Sequence, residues 1–222
     1  MEARHPDHPV ATEESGHHAG DGDYTWLVDP LDGTNNFEAG LPSFASAVTV
    51  LESDTETDAT PLEPAGKTVL GVVYVPLLDD RYVARHDAGV RYDGRRVEPT
   101  DDGAAPAPET ATVASVIGHD VKRNSEQAAV SESINRALEA RCKRRLESWS
   151  PTVHWGLLAR RRLDGVVCYR PDRAEQLLGE LFARESGLAT ESGETADGGT
   201  WFVAAGTEPV FDALCEVVDE TV

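Results

Sequence analysis

The sequence predicts an α/β (α+β) fold built as two lobes. Two observations predict it. From Trp26 to Val97 the chain is a succession of β-branched, apolar or alternating runs broken by Gly, Pro and Asp turns, as in an antiparallel sheet. From Thr112 onward, strand-like runs alternate with helical apolar spacing, as in an α/β unit. Between them, Asp101 to Glu109 (DDGAAPAPE) has the composition of a linker. The boundary is therefore expected near residue 106, with residues 1–106 as one lobe and 107–222 as the other.

Residues 1–22 are rich in His, Pro, Gly and acids and read as irregular. His17 and His18 could ligate a metal, but adjacent histidines in a Gly-rich loop are more often solvated. The run Trp26–Val28 reads as a short buried strand that Asp29-Pro30 ends, because proline donates no ladder hydrogen bond. Asp29 and Asp32 then follow across a turn and can converge on one hard cation, which takes oxygen ligands. Gly33 and Thr34 open a short helical turn whose unpaired N–H groups can hold an anion. Metal and anion cradle in one loop suit a phosphate ester.

Ser43–Leu51 and Lys67–Leu78 read as buried strands, with an acidic, Pro-containing hairpin loop from Glu52 to Gly66. Asp80–Arg85 alternates as a half-buried strand, and Arg91–Val97 is a hairpin around Asp93-Gly94. In the second half, Thr112–Ile117 is a strand and Ser125–Arg141 a helix, its apolar Ala129, Val130, Ile134, Ala137 and Leu138 at helical spacing. A helix over about Thr152–Arg162, strand Gly165–Tyr169, a helix over about Arg173–Ser186, strand Trp201–Ala204 and helix Glu208–Val218 complete the chain.

Composition narrows the function classes. The 222 residues carry 40 acidic against 20 basic side chains, a net charge of -20, and only three lysines, Lys67, Lys122 and Lys143. That argues against a nucleic-acid backbone or an anionic membrane as partner. The acids are spread along the chain, as in a surface built for high salt, so the thermal midpoint is expected to rise from low to molar KCl as screening relieves self-repulsion. A flat profile would mark an ordinary acidic protein. Cys142, Cys168 and Cys215 are far apart with no Cys-x-x-Cys, no run approaches membrane-spanning length, and the start has no hydrophobic leader core. A cytoplasmic protein is expected.

The run Asp29-Pro30-Leu31-Asp32-Gly33-Thr34-Asn35-Asn36-Phe37 resembles, without departure, the signature of the inositol monophosphatase family of metal-dependent, lithium-sensitive phosphatases. Thr12-Glu13-Glu14-Ser15-Gly16 resembles the family's Glu-Glu element, whose first glutamate is a metal ligand, and Gly89–Gly94 resembles part of its antiparallel sheet. A solvated acidic loop is the plain alternative for Glu13 and Glu14. The resemblance implies a layered α/β/α/β/α sandwich, here short of its first helices. The family carries two helices before the Glu-Glu element, and this chain starts almost at that element. Apolar surface left uncovered would seek a partner.

The resemblance also implies a site. Glu13, Asp29 and the Leu31 carbonyl would hold a first Mg²⁺, and Asp29, Asp32 and a third acid a second. Glu13, Thr34 and Asp32 would act in catalysis, and the Gly33 and Thr34 N–H groups would cradle phosphate. The family's second signature, Trp-Asp-x-Ala-Ala-Gly, aligns with Ala174-Glu175-Gln176-Leu177-Leu178-Gly179, so Glu175 stands for the aspartate. Glutamate reaches about 1.5 Å further, one carbon–carbon bond. Glu175 reads equally as an acid favoured at a helix N-terminus. Trp149-Ser150 replaces a Gly-Ser or Gly-Thr pair near the substrate, which makes Ser150 a candidate substrate contact. Cys168 takes the place of a hydroxyl-binding glutamate; its other reading is a small buried hydrophobe. The implied activity is Mg²⁺-dependent hydrolysis of a small sugar or polyol phosphate, of inositol-phosphate or fructose-bisphosphate type, with a homodimer possible. The alternative is a non-catalytic paralogue that binds a ligand or partner.

Overall fold

The computed structural model describes residues 4–12, 16–53, 66–98, 106–147 and 149–222. The hairpin loop expected from Glu52 to Gly66 and the linker at 101–109 lie largely outside these residues. Two sheets organise the chain. The first has eight strands, β1 (Val10–Thr12), β2 (Gly16–His18), β3 (Tyr24–Asp32), β4 (Ala45–Ser53), β5 (Gly66–Val75), β6 (Asp80–Arg85), β7 (Gly89–Tyr92) and β8 (Arg95–Arg96), in the order β2-β1-β3-β4-β5-β6-β7-β8. From β3 onward each strand pairs antiparallel with the next, while β1 lies parallel to β3. The stretch expected to be irregular thus supplies the last two strands at one side of the sheet, each too short for a period-2 pattern to register.

The second sheet has β9 (Thr112–Ile117), β10 (Arg144–Glu147), β11 (Gly165–Tyr169), β12 (Ala189–Glu194) and β13 (Thr200–Ala205), in the order β10-β9-β11-β13-β12. The helices are α1 (Thr34–Glu38), α2 (Ser125–Arg141), α3 (Pro151–Ala159), α4 (Arg173–Glu185) and α5 (Glu208–Thr221). Side-chain alternation along the second sheet decides where they lie. Val166, Cys168, Phe202 and Ala204 face a core shared with α3, α4 and the first sheet's Ala45, Val73 and Ala84. Val167, Tyr169, Val203 and Ala205 face Ile134 and Leu138 of α2 and Leu214 and Val217 of α5. Among the described residues the layers therefore run β/α/β/α, an order found within the sandwich that the resemblance implies. On the far face of the first sheet Trp26, Val28, Val48, Leu70 and Val72 are half-buried. Among the described residues no helix is long and apolar enough to cross a membrane.

Close approach in the middle layer rests on a missing side chain. A Cβ at Gly179 of α4 would lie 2.6 Å from the ring of Trp155 of α3, which is fully buried. Beside it, His154 is buried, and burial lowers its imidazole from 6.5 to about 4. The folded state resists a proton that the unfolded chain accepts, so this contribution to stability is complete above pH 6.5 and is lost as pH falls from 6.5 towards 4. The loss should reach about 3 kcal/mol. Denaturant melts at pH 7 and pH 4.5 should show His154→Leu losing less stability on acidification than wild type; equal losses would contradict the assignment.

One expectation is corrected at the strand that leads into the site. Pro30 does not end β3, which continues to Asp32. The register with β4 shifts between Asp29 and Asp32, so Pro30 sits in an irregular step where no ladder donor is needed. The Pro30 carbonyl accepts the Ser46 hydroxyl at 2.7 Å across the step.

Candidate active site

The end of β3, the start of α3 and the start of α4 meet at one cavity of about 390 Å³, lined among others by Asp29, Thr152, Asp172 and Glu175. At the β3 end, the Leu31 N–H donates to Asp29 Oδ1 at 2.9 Å, an Asx-type turn that fixes the carboxylate. The Thr34 hydroxyl donates to the Leu31 carbonyl at 3.1 Å. Gly33 links the two with φ 87°, a left-handed conformation that side chains disfavour. A Cβ there would also meet Ser150 Cβ at 2.9 Å and the Ser43 carbonyl at 3.1 Å, so glycine is required on two grounds.

Asp32 is buried at 4% exposure, and its Oδ2 is a convergence point. It accepts the Ser150 hydroxyl at 2.7 Å, the Thr152 N–H at 2.9 Å and the Thr152 hydroxyl. These donors belong to the start of α3, whose unpaired N–H groups and positive dipole end favour a carboxylate. Asp32 is thus locked in place by a helix from the second half of the chain.

The start of α4 carries Asp172 and Glu175. Asp172 Oδ1 accepts the Ala174 N–H at 2.9 Å, and the Glu175 carboxylate accepts the Asp172 N–H. That reciprocal pair is a capping box. Glu175 also faces the cavity: its carboxyl is raised well above the usual range, first by burial and then by the charges of Asp32, Asp172 and Asp29. The helix-end reading of Glu175 is seen in its bond from the Asp172 N–H, and the ligand reading has an acidic neighbourhood to draw on. One function of the side chain closes a helix end, and its charge joins an acid cluster that a cation would relieve.

Ser150 and Cys168 do not stand where a substrate contact would. Ser150 is fully buried with its hydroxyl on Asp32, so it reaches the site by positioning that carboxylate. Cys168 is fully buried in the core on β11, and burial, followed by the charges of Glu175 and Glu180, holds its thiol well above the usual range. A strand interior covered on both faces leaves it no surface, and the buried-hydrophobe reading fits. Glu13 lies outside the described residues, while Thr12 and Gly16 on either side of it line the cavity.

Thr152, Asp172 and His119 also line the cavity and escaped the sequence reading. The Asp172-x-x-Glu175 spacing is a capping-box signal that could have drawn attention to Asp172. Nothing in the sequence marks Thr152 or His119, which arrive from distant elements. The donors present (carboxylates of Asp29, Asp32 and Glu175, and the Leu31 carbonyl) are hard oxygens with mutually repelling charge, a set that fits Mg²⁺. A tighter group lies elsewhere: ligand atoms of His86, Asp87 and Glu185 fall within 4.8 Å of one another. Glu185 there accepts the N–H groups of Asp87 and Gly89 at 2.9 and 2.8 Å, which makes it the clasp of the β6–β7 turn.

Comparison with known proteins agrees with this architecture. The sequence matches the inositol monophosphatase family over residues 1–173, ending two residues before Glu175. It is 29% identical over 190 residues to Nus factor SuhB of Vibrio cholerae, covering 84% of this chain and 64% of that protein. It is 34% identical over 97 residues to a fructose-1,6-bisphosphatase/inositol-1-monophosphatase of Aquifex aeolicus, covering 44% of this chain and 32% of that protein. The chain thus spans less than two thirds of the length of these relatives. The solved inositol monophosphatase from Anabaena (Nostoc) superposes on 100% of this chain and 82% of its own with a TM-score of 0.79 at 19% identity, a likeness of fold. With a match that spans most of its length, the chain belongs to the inositol monophosphatase family.

Proposed function

We propose that the protein is a Mg²⁺-dependent phosphomonoesterase acting on a small sugar or polyol phosphate. The observation that carries the reading is that Asp29 and Glu175 line one cavity, with Asp32 near enough that its charge, like that of Asp29, helps raise the Glu175 carboxyl. Glu13, Asp29 and the Leu31 carbonyl would hold one Mg²⁺, and Asp29, Asp32 and Glu175 another. When bound, the ions supply Lewis-acid charge and lower the proton affinity of the attacking water. The chain's own part is placement. Ser150 and Thr152 hold Asp32 before any ligand arrives. The Thr34 hydroxyl, anchored at the Leu31 carbonyl, and Glu13 orient the attacking water. The N–H groups of Gly33 and Thr34 hold phosphoryl oxygens.

The names of the relatives support the coarse reading, since the Aquifex protein is a bisphosphatase and monophosphatase. They also favour a second one. The Vibrio relative is a Nus factor, and Glu175 replaces an aspartate, so a binding protein without turnover is the rival. The acidic surface supports a cytoplasmic, high-salt protein with no nucleic-acid or membrane partner, and a homodimer is compatible with it. A screen of phosphate monoesters with Mg²⁺ in molar KCl separates the two readings. Phosphate release from inositol 1-phosphate or fructose 1,6-bisphosphate supports the enzyme; no release from any ester, with Mg²⁺ bound, supports the rival.

A further inference from the structure

The helices α3 and α4 pack on the inner face of the first sheet. Its outward face does not read as a face built for water, where polar residues alternate with the buried ones. On β6, Tyr82 and Ala84 point into the shared core, and the outward residue between them is Val83. Followed across the strands through their register, one outward row is Val28, Val48, Val72 and Val83, then Arg91 and Arg96. The row beside it is Trp26, Val50 and Leu70, then Arg85, and a third ends in Tyr74 and Arg81. Val28, Val48, Leu70, Val72 and Val83 are only half-buried, and the four arginines are exposed.

This apolar stripe has two banks. On one, His5 stacks on Trp26 with ring centroids 5.9 Å apart, and the Trp26 indole N–H donates to His8 Nδ1 at 2.9 Å. On the other stand the arginines, a cationic border on a chain of net charge -20. Arg81 and Arg96 have the exposed acids Asp93 and Glu98 at 3.7 Å, and such pairs hold weakly in water. Past Tyr74, the turn after β5 leaves Leu77 and Leu78 62% and 60% exposed. Three strand spacings make the stripe about 14 Å wide. An α-helix is about 10 Å across and buries its own apolar stripe on such a surface. A second copy of the chain fits poorly, since it brings the same arginine border and another net charge of -20. We propose that this face is the docking groove for an amphipathic helix of a partner protein, its Leu- or Val-rich stripe on the valines and a row of Asp or Glu against the arginines. Apolar burial supplies the affinity, and the charged border fixes which way round the helix lies. The proposal is independent of the phosphatase reading: Ala47 and Thr49, which line the acid cavity, alternate along β4 with the outward Val48 and Val50.

The probe is a labelled helical peptide of about 18 residues, roughly 27 Å long, with a leucine stripe flanked on one side by glutamates, together with a twin that has lysines in their place. Fluorescence anisotropy against the full chain should show saturable binding of the acidic peptide, with the lysine twin at least about 10-fold weaker at the same salt concentration. Arg85→Glu combined with Arg91→Glu, both exposed, should invert that preference while the thermal midpoint holds. Val72→Asp should abolish binding of the acidic peptide. Binding of neither peptide by wild type, equal binding of both, or an unchanged preference in the arginine double variant would overturn the groove. A concentration-dependent dimer that Val72→Asp dissolves, without peptide binding, would assign the face to a second copy and overturn the partner helix.

Discussion

Glu175→Gln is expected to make the metal-free protein more stable and the enzyme nearly inactive. Glutamine keeps the capping box, because its carbonyl still accepts the Asp172 N–H. What it removes is the charge. The Glu175 carboxyl is raised above its usual range, so the folded state holds a proton that the unfolded chain has released. Wild-type stability from this group is therefore present at low pH and lost as pH rises through the raised value. Glutamine should abolish that loss, so the variant should melt higher than wild type at pH 8 without metal. With Mg²⁺ at 100 times its Kd, wild type should gain about 5–10 °C, and the variant should gain far less. Turnover should fall on the order of 10²–10³-fold. Glu175→Asp should be tolerated, and higher activity would show that the longer side chain misplaces the ion. Full activity in Glu175→Gln would mean that the second ion is held by another group.

Asp32→Ala is expected to act in the opposite direction on stability. It leaves the Ser150 hydroxyl and the Thr152 N–H and hydroxyl without their acceptor in a buried position. A buried donor stripped of its partner costs about 1–3 kcal/mol, more when the lost partner is charged. The thermal midpoint should therefore drop by about 2–12 °C, at 2–4 °C per kcal/mol for a chain of this size. Turnover should fall with Glu175→Gln by on the order of 10²–10³-fold. The pair of variants separates two kinds of acid in one site: Asp32 supports the fold that presents it, whereas Glu175 strains it. An Asp32→Ala protein as stable as wild type would contradict the packing of α3 onto this carboxylate.

The parts of the fold legible in the sequence are those with a strong period. Ser125–Arg141, Gly165–Tyr169 and Asp80–Arg85 form with the bounds that their apolar spacing predicts. Strands β10 (RRLE) and β12 (ATESGE) lie at the two edges of the second sheet, with mostly polar, partly exposed side chains. Such strands carry no alternation, and nothing local could reveal them. Pro30 misleads for a related reason, since its place in a strand depends on a register step set by β4.

The site was legible where one loop carries it. Asp29, Asp32, Gly33 and Thr34 come from nine consecutive residues of the signature, and the turn geometry places them together. Thr152, Ser150 and Asp172 join through helix starts more than 110 residues away, as the 118 and 120 residue separations from Asp32 show for the first two. No local pattern marks the surroundings of Ser150 and Cys168: both are fully buried, one with its hydroxyl on Asp32, the other filling the core.

The central claim is that the β3 loop and the α4 start form a magnesium site. Calorimetric titration of Mg²⁺ into wild type and Asp29→Asn, in molar KCl, tests it most directly. Asp29 faces the cavity and perturbs Glu175, and it is the carboxylate shared by both proposed ions. The expected result is saturable binding in wild type that Asp29→Asn abolishes while the variant remains folded. Unchanged Mg²⁺ binding in folded Asp29→Asn would contradict the account.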